Sequence, residues 1–187
     1  MMRIGIVGTG NVASHLAVQF KQLDGIELLC AFSRSKSNAT DFQDLTEVSC
    51  HWDPTTFPTY LDILITAVKD DRIGQVAERY KAHFPGALAV HTSGSVSSTV
   101  FQQHFVRFGV FYPLQSFTKG APVDFSTIPI CVHSNDQQET KLLLELGHRI
   151  SDKVWEITDE QREHLHVAAV MVNNFTNFLY ILAKDYV

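Results

Sequence analysis

The sequence predicts an α/β fold built on a doubly wound, mostly parallel sheet and followed by one long C-terminal helix. Three observations predict it. Strand and helix patterns alternate from the first residues onward. Residues 61–68 (LDILITAV) and 87–90 are near-continuous apolar runs, as in strands covered on both faces by crossover helices. A glycine-rich turn, G-x-G-x-x-A at Gly8, Gly10 and Ala13, lies between the first strand and the first helix.

Apolar residues bounded by turn signals place strands near 3–7, 27–32, 48–52, 62–68, 87–91, 107–111, 128–132 and 153–157, with helices in most of the gaps. Residues 112–129, with Pro113, Gly120, Pro122 and Pro129, form the longest irregular stretch, and loops of that length are often functional. Ser134 with Gln137, and Thr158 with Gln161, have the spacing of capping boxes, so helices are expected to start at both. On the last helix Leu165, Ala169, Val172, Phe175, Leu179 and Leu182 recur every three or four residues, an apolar face that must pack on the sheet domain or on a second subunit. We therefore expect a dinucleotide-binding domain over 1–157 and, over 158–187, the start of a helical domain that continues past this sequence.

Charged residues make up 19% of the 187 and the net charge is -5, without the Lys/Arg cluster of a nucleic-acid binder. Met1, Met2 and Arg3 lead straight into the first strand, which gives no signal-peptide pattern, and no unbroken apolar run reaches the ~18 residues of a membrane span. Cys30, Cys50 and Cys131 are odd in number and set among apolar residues, as reduced thiols are. His164 and His166 fall on different helical faces, so no metal site is expected. A cytoplasmic location fits these features.

In the glycine turn, Gly8 permits the sharp bend, Gly10 lets backbone amides approach a pyrophosphate, and small Ala13 lets the helix pack close to the strand. Gly8, Thr9, Gly10, Asn11 and Val12 are therefore the candidate phosphate cradle of a Rossmann-type fold. Where an NAD site has an acid at the end of the second strand, this chain has Ser33, Arg34 and Ser35. A carboxylate there would repel a 2′-phosphate by about 4 kcal/mol at ~4 Å and an effective dielectric near 20, whereas Arg34 attracts it. NADP is thus expected over NAD, with Ser33 and Ser35 adding hydroxyl contacts and Lys36 as a weaker second cation.

With these features stand, in order, Ala67-Val68-Lys69-Asp70-Asp71, His91-Thr92-Ser93-Gly94-Ser95, Phe111-Tyr112-Pro113-Leu114-Gln115 and His164-Leu165-His166-Val167-Ala168-Ala169. The whole chain resembles the Rossmann-like NADP-dependent oxidoreductases of unassigned function, relatives of the deazaflavin-dependent NADP oxidoreductases, pyrroline-5-carboxylate reductases and β-hydroxyacid dehydrogenases. The resemblance implies that Ala67, Val68 and Lys69 lie beside the nicotinamide half of the cofactor, that Ser93, Gly94 and Ser95 face the substrate, and that the last helix begins a dimerisation domain. Ser95 capping a helix, with Ser93 idle in a turn, is the competing reading of that loop.

His166, Asn173 and Asn177 fall at i, i+7 and i+11, one stripe of the last helix opposite its apolar face, with Asn174 beside it. His166 is the candidate general acid/base, with Ser93 and Asn174 orienting a small-molecule substrate; His164 reads as structural. Matching Asn174 to the active-site asparagine of β-hydroxyacid dehydrogenases puts Val170 where they have a catalytic lysine, and valine moves no proton. Two functions remain open at this point. One is an NADP(H)-dependent oxidoreductase acting on a small carbonyl, imine or hydroxyacid compound, as a homodimer without nucleic-acid or membrane partners. The other is a non-catalytic NADP sensor acting through its dimer interface.

Overall fold

The computed structural model describes residues 1–186. All eight expected strands are present, as β1 (Met2–Val7), β2 (Ile26–Phe32), β3 (Cys50–His51), β4 (Ile63–Thr66), β5 (Leu88–His91), β6 (Phe108–Pro113), β7 (Ile130–Ser134) and β8 (Val154–Glu156). They form one sheet in the order β3-β2-β1-β4-β5-β6-β7-β8, parallel throughout except for the antiparallel pair β6 and β7. Successive connections run outward in both directions from β1, so the crevice beyond the carboxyl ends of β1 and β4 is the topological switch point where such sheets bind ligands.

The apolar runs reflect burial on both faces. Strand side chains alternate, so Ile4, Ile6, Ile63 and Ile65 pack on one layer with Leu16 and Phe20 of α1 (Asn11–Lys21) and with Leu143 and Leu146 of α4 (Gln137–His148). Val7, Phe32 and Leu64 pack on the other, with Ala77 and Tyr80 of α3 (Ile73–Tyr80). Between them in sequence lies α2 (Lys36–Thr46), capped by Ser35.

Two local expectations change. The edge strand β3 pairs only through Cys50 and His51, because Asp53 turns the chain directly afterwards by accepting from the Thr55 amide at 3.0 Å. Ser134 does not cap α4. It ends β7, and Asp136 is the cap, accepting from the Gln138 and Glu139 amides at 2.8 and 3.4 Å; a carboxylate also complements the positive end of the helix.

At Thr158 the capping box is as expected: its hydroxyl accepts from the Gln161 amide at 3.2 Å, and the Gln161 side chain accepts from the Thr158 amide at 2.9 Å. It opens α5 (Asp159–Val170), which continues through a π-helical turn (Met171–Phe175) into α6 (Thr176–Asp185). Leu165 is half-buried beside Tyr112 and Cys131, but Val172, Phe175 and Leu179 are 74, 61 and 63% exposed. The sheet domain therefore covers only the beginning of the apolar face. Among the described residues this helix, Asp159–Lys184, is also the one long and apolar enough by composition to cross a membrane, with a window of mean hydropathy 1.3 that is not buried. The unbroken-run criterion missed it because Asn173, Asn174 and Asn177 interrupt the run without lowering the average far.

Candidate functional site

The glycine turn is built as a cradle. Gly8 has φ +123, and a side chain on it would stand 2.1 Å from the Ala67 carbonyl oxygen, so the bend and the close approach to β4 both require glycine. Gly10 is different: a methyl group there would meet no protein atom within 4 Å, so the space above it is open at the start of α1. Backbone amides at a helix start beside such a space are a ready anion site. Ala13 is fully buried at the contact of α1 with the sheet.

The long loop after β6 closes one side of the cradle. Asn11 donates to the Phe117 carbonyl at 2.8 Å, and His15 bridges the Asn11 and Ala121 carbonyls at 2.7 and 3.0 Å with its ring against Phe117. Asn11 thus borders the cavity but spends its side chain on holding this loop.

Beyond β2, Arg34 is exposed and borders the cavity beside Ser33, whose hydroxyl accepts from the Ser35 amide at 3.3 Å. Ser35 lies outside the lining and caps α2, accepting from the Asn38 amide at 3.4 Å; Lys36 is outside it as well. Sequence reasoning missed the opposite wall, Arg72, Gln75, Val76 and Arg79, with the Arg79 guanidinium 5.7 Å above the Tyr80 ring. Their i, i+3, i+4, i+7 spacing was the available signal: one face of α3 turned to the cavity.

At the far end, Ala67, Val68 and Lys69 line the cavity where β4 ends. Ser93 is buried, and its oxygen accepts from the Ser95 and Val96 amides at 3.2 and 3.1 Å. Ser93 therefore organises this loop itself, and Ser95 does not cap it: the Ser95 hydroxyl donates to Asp70 at 2.8 Å. With its lone pairs occupied, the Ser93 hydroxyl has its own proton left to donate. The Ser93 amide donates to Nδ1 of His91, at 3.2 Å; burial, and then the positive charge of Arg162, push the pKa of His91 down to about 4, so this imidazole is a neutral internal brace.

The last helix supplies the remaining wall through His166, Ala169, Val170, Val172, Asn173 and Asn174. His166 Nδ1 lies 2.9 Å from the Tyr112 hydroxyl. Asn173 donates to the Ser116 hydroxyl at 2.8 Å and to the Asn174 side-chain oxygen at 3.3 Å, while Asn177 is outside the lining and reaches only Asn173, at 3.4 Å. Of the polar stripe expected from periodicity, His166 and Asn173 border the cavity, with Asn174 beside them, and Asn177 does not. Asn173 and Asn174 lie within the π-helical turn, a feature that recurs at functional sites. His164 is exposed on another face. Gly94 is where loop and helix meet, since a methyl group on it would fall 2.4 Å from His166 Nδ1 and 2.8 Å from the Tyr112 ring.

Cradle, Arg34, Ser93 and His166 border one continuous cavity of about 1340 Å³. Among the described residues no group of three or more His, Cys, Asp or Glu side chains is placed to hold a metal ion.

No curated protein matches the chain. The family described as NADP oxidoreductase, coenzyme F420-dependent, matches residues 3–93, and the domain of unknown function DUF2520 matches residues 128–187. Among solved structures, a candidate NADP oxidoreductase from Bacteroides fragilis is 30% identical, with a TM-score of 0.88 over 99% of this chain and 71% of that one. A Thermotoga maritima protein at 24% identity (TM-score 0.72, 98% of this chain, 68% of that one) shares the fold. So does a Plasmodium falciparum pyrroline carboxylate reductase with NADP bound, at 16% identity (TM-score 0.66, 98% of this chain, 67% of that one). The chain belongs to the family of Rossmann-type NADP oxidoreductases in which an NADP oxidoreductase region is followed by a DUF2520 region.

Proposed function

We propose that the chain binds NADP(H) across the switch point of its sheet and exchanges a hydride with a small carbonyl, imine or hydroxyacid compound held between Ser93 and the last helix. The observation that carries this reading is the one continuous cavity, which joins an anion cradle and a cation with no ion-pair partner among the described residues at one end to hydrogen-bonding side chains at the other. Its volume exceeds the roughly 300–1,000 Å³ of ordinary small-molecule sites, which suits a dinucleotide with a substrate beside it. The open space above Gly10 fits a pyrophosphate, and exposed Arg34, with no acid at the end of β2, fits a 2′-phosphate. Arg79 on α3 faces the same end.

When bound, the nicotinamide supplies the hydride. The chain orients the substrate and handles its proton: Ser93 donates a hydrogen bond from its hydroxyl to the substrate oxygen or nitrogen, Asn174 offers its amide, and His166 is the acid/base that transfers the proton. In this reading residues 1–157 bind the dinucleotide, and 158–187 belong to a helical region whose exposed apolar stripe is covered by a second copy of the chain.

One observation favours a second reading, an NADP sensor without turnover: the wall carries Val170 at the position of the lysine of β-hydroxyacid dehydrogenases. Two measurements decide. Arg34→Ala is expected to weaken NADPH binding about 10- to 100-fold, the loss of a charge-assisted hydrogen bond of about 1.5–3 kcal/mol, and to leave NADH unchanged. Equal affinities of the wild type for NADPH and NADH overturn the cofactor assignment. NADPH oxidation with a panel of carbonyl, imine and hydroxyacid compounds separates enzyme from sensor, tight binding without turnover marking the sensor.

A further inference from the structure

Tyr112 and His166 meet through one hydrogen bond. Given the reductase reading above, we propose that Tyr112 is a positioning residue that keeps a proton on Nε2 of His166, so that the ring meets the substrate as a donor and serves as the acid of a reduction.

Tyr112 stands near the end of β6, 8% exposed, with its ring edge-on to His166 at 5.9 Å between centroids and its hydroxyl 2.9 Å from Nδ1. Burial pushes the phenol up to about 12, so it holds its proton at any pH where the protein works. Among the described residues His166 Nδ1 is the one hydrogen-bond partner of that hydroxyl, and Nε2 is the ring nitrogen left without one. A neutral imidazole has one proton. If Nδ1 accepts from Tyr112, the proton sits on Nε2. When the ring is charged, the same hydroxyl oxygen accepts from Nδ1–H, and Nε2 again carries a proton. A hydroxyl is suited to both states, which a carboxylate or an amide nitrogen is not.

Gly94 completes the arrangement. The loop passes so close that a single added methyl group would stand 2.4 Å from Nδ1, inside van der Waals contact, so the ring packs directly between the loop and Tyr112. The step balances as follows: with NADPH as the hydride donor the substrate carbon gains the hydride, and the charged ring gives its Nε2 proton to the adjoining oxygen or nitrogen; the ring, now neutral, keeps its other proton on Nδ1, donated to the Tyr112 oxygen, until solvent returns one proton to Nε2.

The test reads the tautomer directly. In protein labelled with 15N-histidine, two-bond proton–nitrogen NMR correlations of His166 are expected to show a protonated Nε2 and an unprotonated Nδ1 at alkaline pH. Tyr112→Phe keeps the packing and is expected to draw the two nitrogen signals toward each other as both tautomers populate, with kcat falling about tenfold and NADPH affinity within twofold of wild type. A wild-type ring protonated on Nδ1, or a Tyr112→Phe variant with unchanged nitrogen signals or unchanged kcat, overturns the proposal while leaving the reductase reading in place. The expected wild-type pattern in a protein that reduces no substrate overturns the reductase reading and the acid role with it.

Discussion

Asp159 and Arg162 form an ion pair at 2.6 Å across the first turn of α5, with the guanidinium sealed from solvent. The other carboxylate oxygen of Asp159 accepts from the Ser97 hydroxyl and from the Ser98 amide and hydroxyl at 2.6, 2.8 and 2.9 Å, and Arg162 also donates to the Val96 carbonyl. The last helix is thereby fastened to the loop that carries Ser93, with His166 one turn further along. Asp159→Ala leaves a buried cation unpaired, and urea denaturation is expected to show a loss of about 3–5 kcal/mol. An unchanged midpoint would mean that the pair contributes nothing.

The neutral His91 brace makes stability depend on pH. Its pKa in the folded protein, about 4, lies below the ordinary 6.5. Between those values the unfolded chain binds a proton that the folded one does not, so stability falls as pH falls through the window, by at most about 1.4 kcal/mol per pH unit from this group. His91→Asn keeps an acceptor for the Ser93 amide and removes the titration. Its unfolding free energy, followed from pH 7 to pH 4, is expected to decline less steeply than that of the wild type.

The two glycines of the cradle are expected to fail in different ways. Gly10→Ala meets no protein atom, so its melting temperature is expected to stay within about 2 °C of wild type while NADPH affinity drops at least tenfold. Gly8→Ala combines a positive φ with a methyl group against the Ala67 carbonyl and is expected to cost about 1–3 kcal/mol of stability even without ligand. Calorimetry beside a binding titration checks both; a Gly10→Ala protein that binds NADPH normally places the pyrophosphate elsewhere.

How far the sequence reaches depends on the range of the force that decides each feature. The eight strands and the Thr158 cap follow from periodicity and neighbours within a few residues, and both were legible. Ser134 was misassigned because a serine and an aspartate compete for one cap and the strand claims the serine. Tyr112 was visible only as part of a motif: its partnership with His166 spans 54 residues, and no local pattern reports that distance. Arg79 was hidden differently, since its face of α3 looks like an ordinary solvated flank until the fold turns it toward the cavity.

The π-helical turn has one more consequence. It contains one residue more than an α-helical turn would, so the chain beyond Phe175 is rotated by about 100° from where an unbroken helix would have carried it. The segment that presents the two asparagines thus also sets the compass bearing of Phe178, Leu179 and Leu182. Site and flank share one register: shortening that turn by a residue would swing the apolar flank around the helix at the same stroke that withdrew an amide from the cavity.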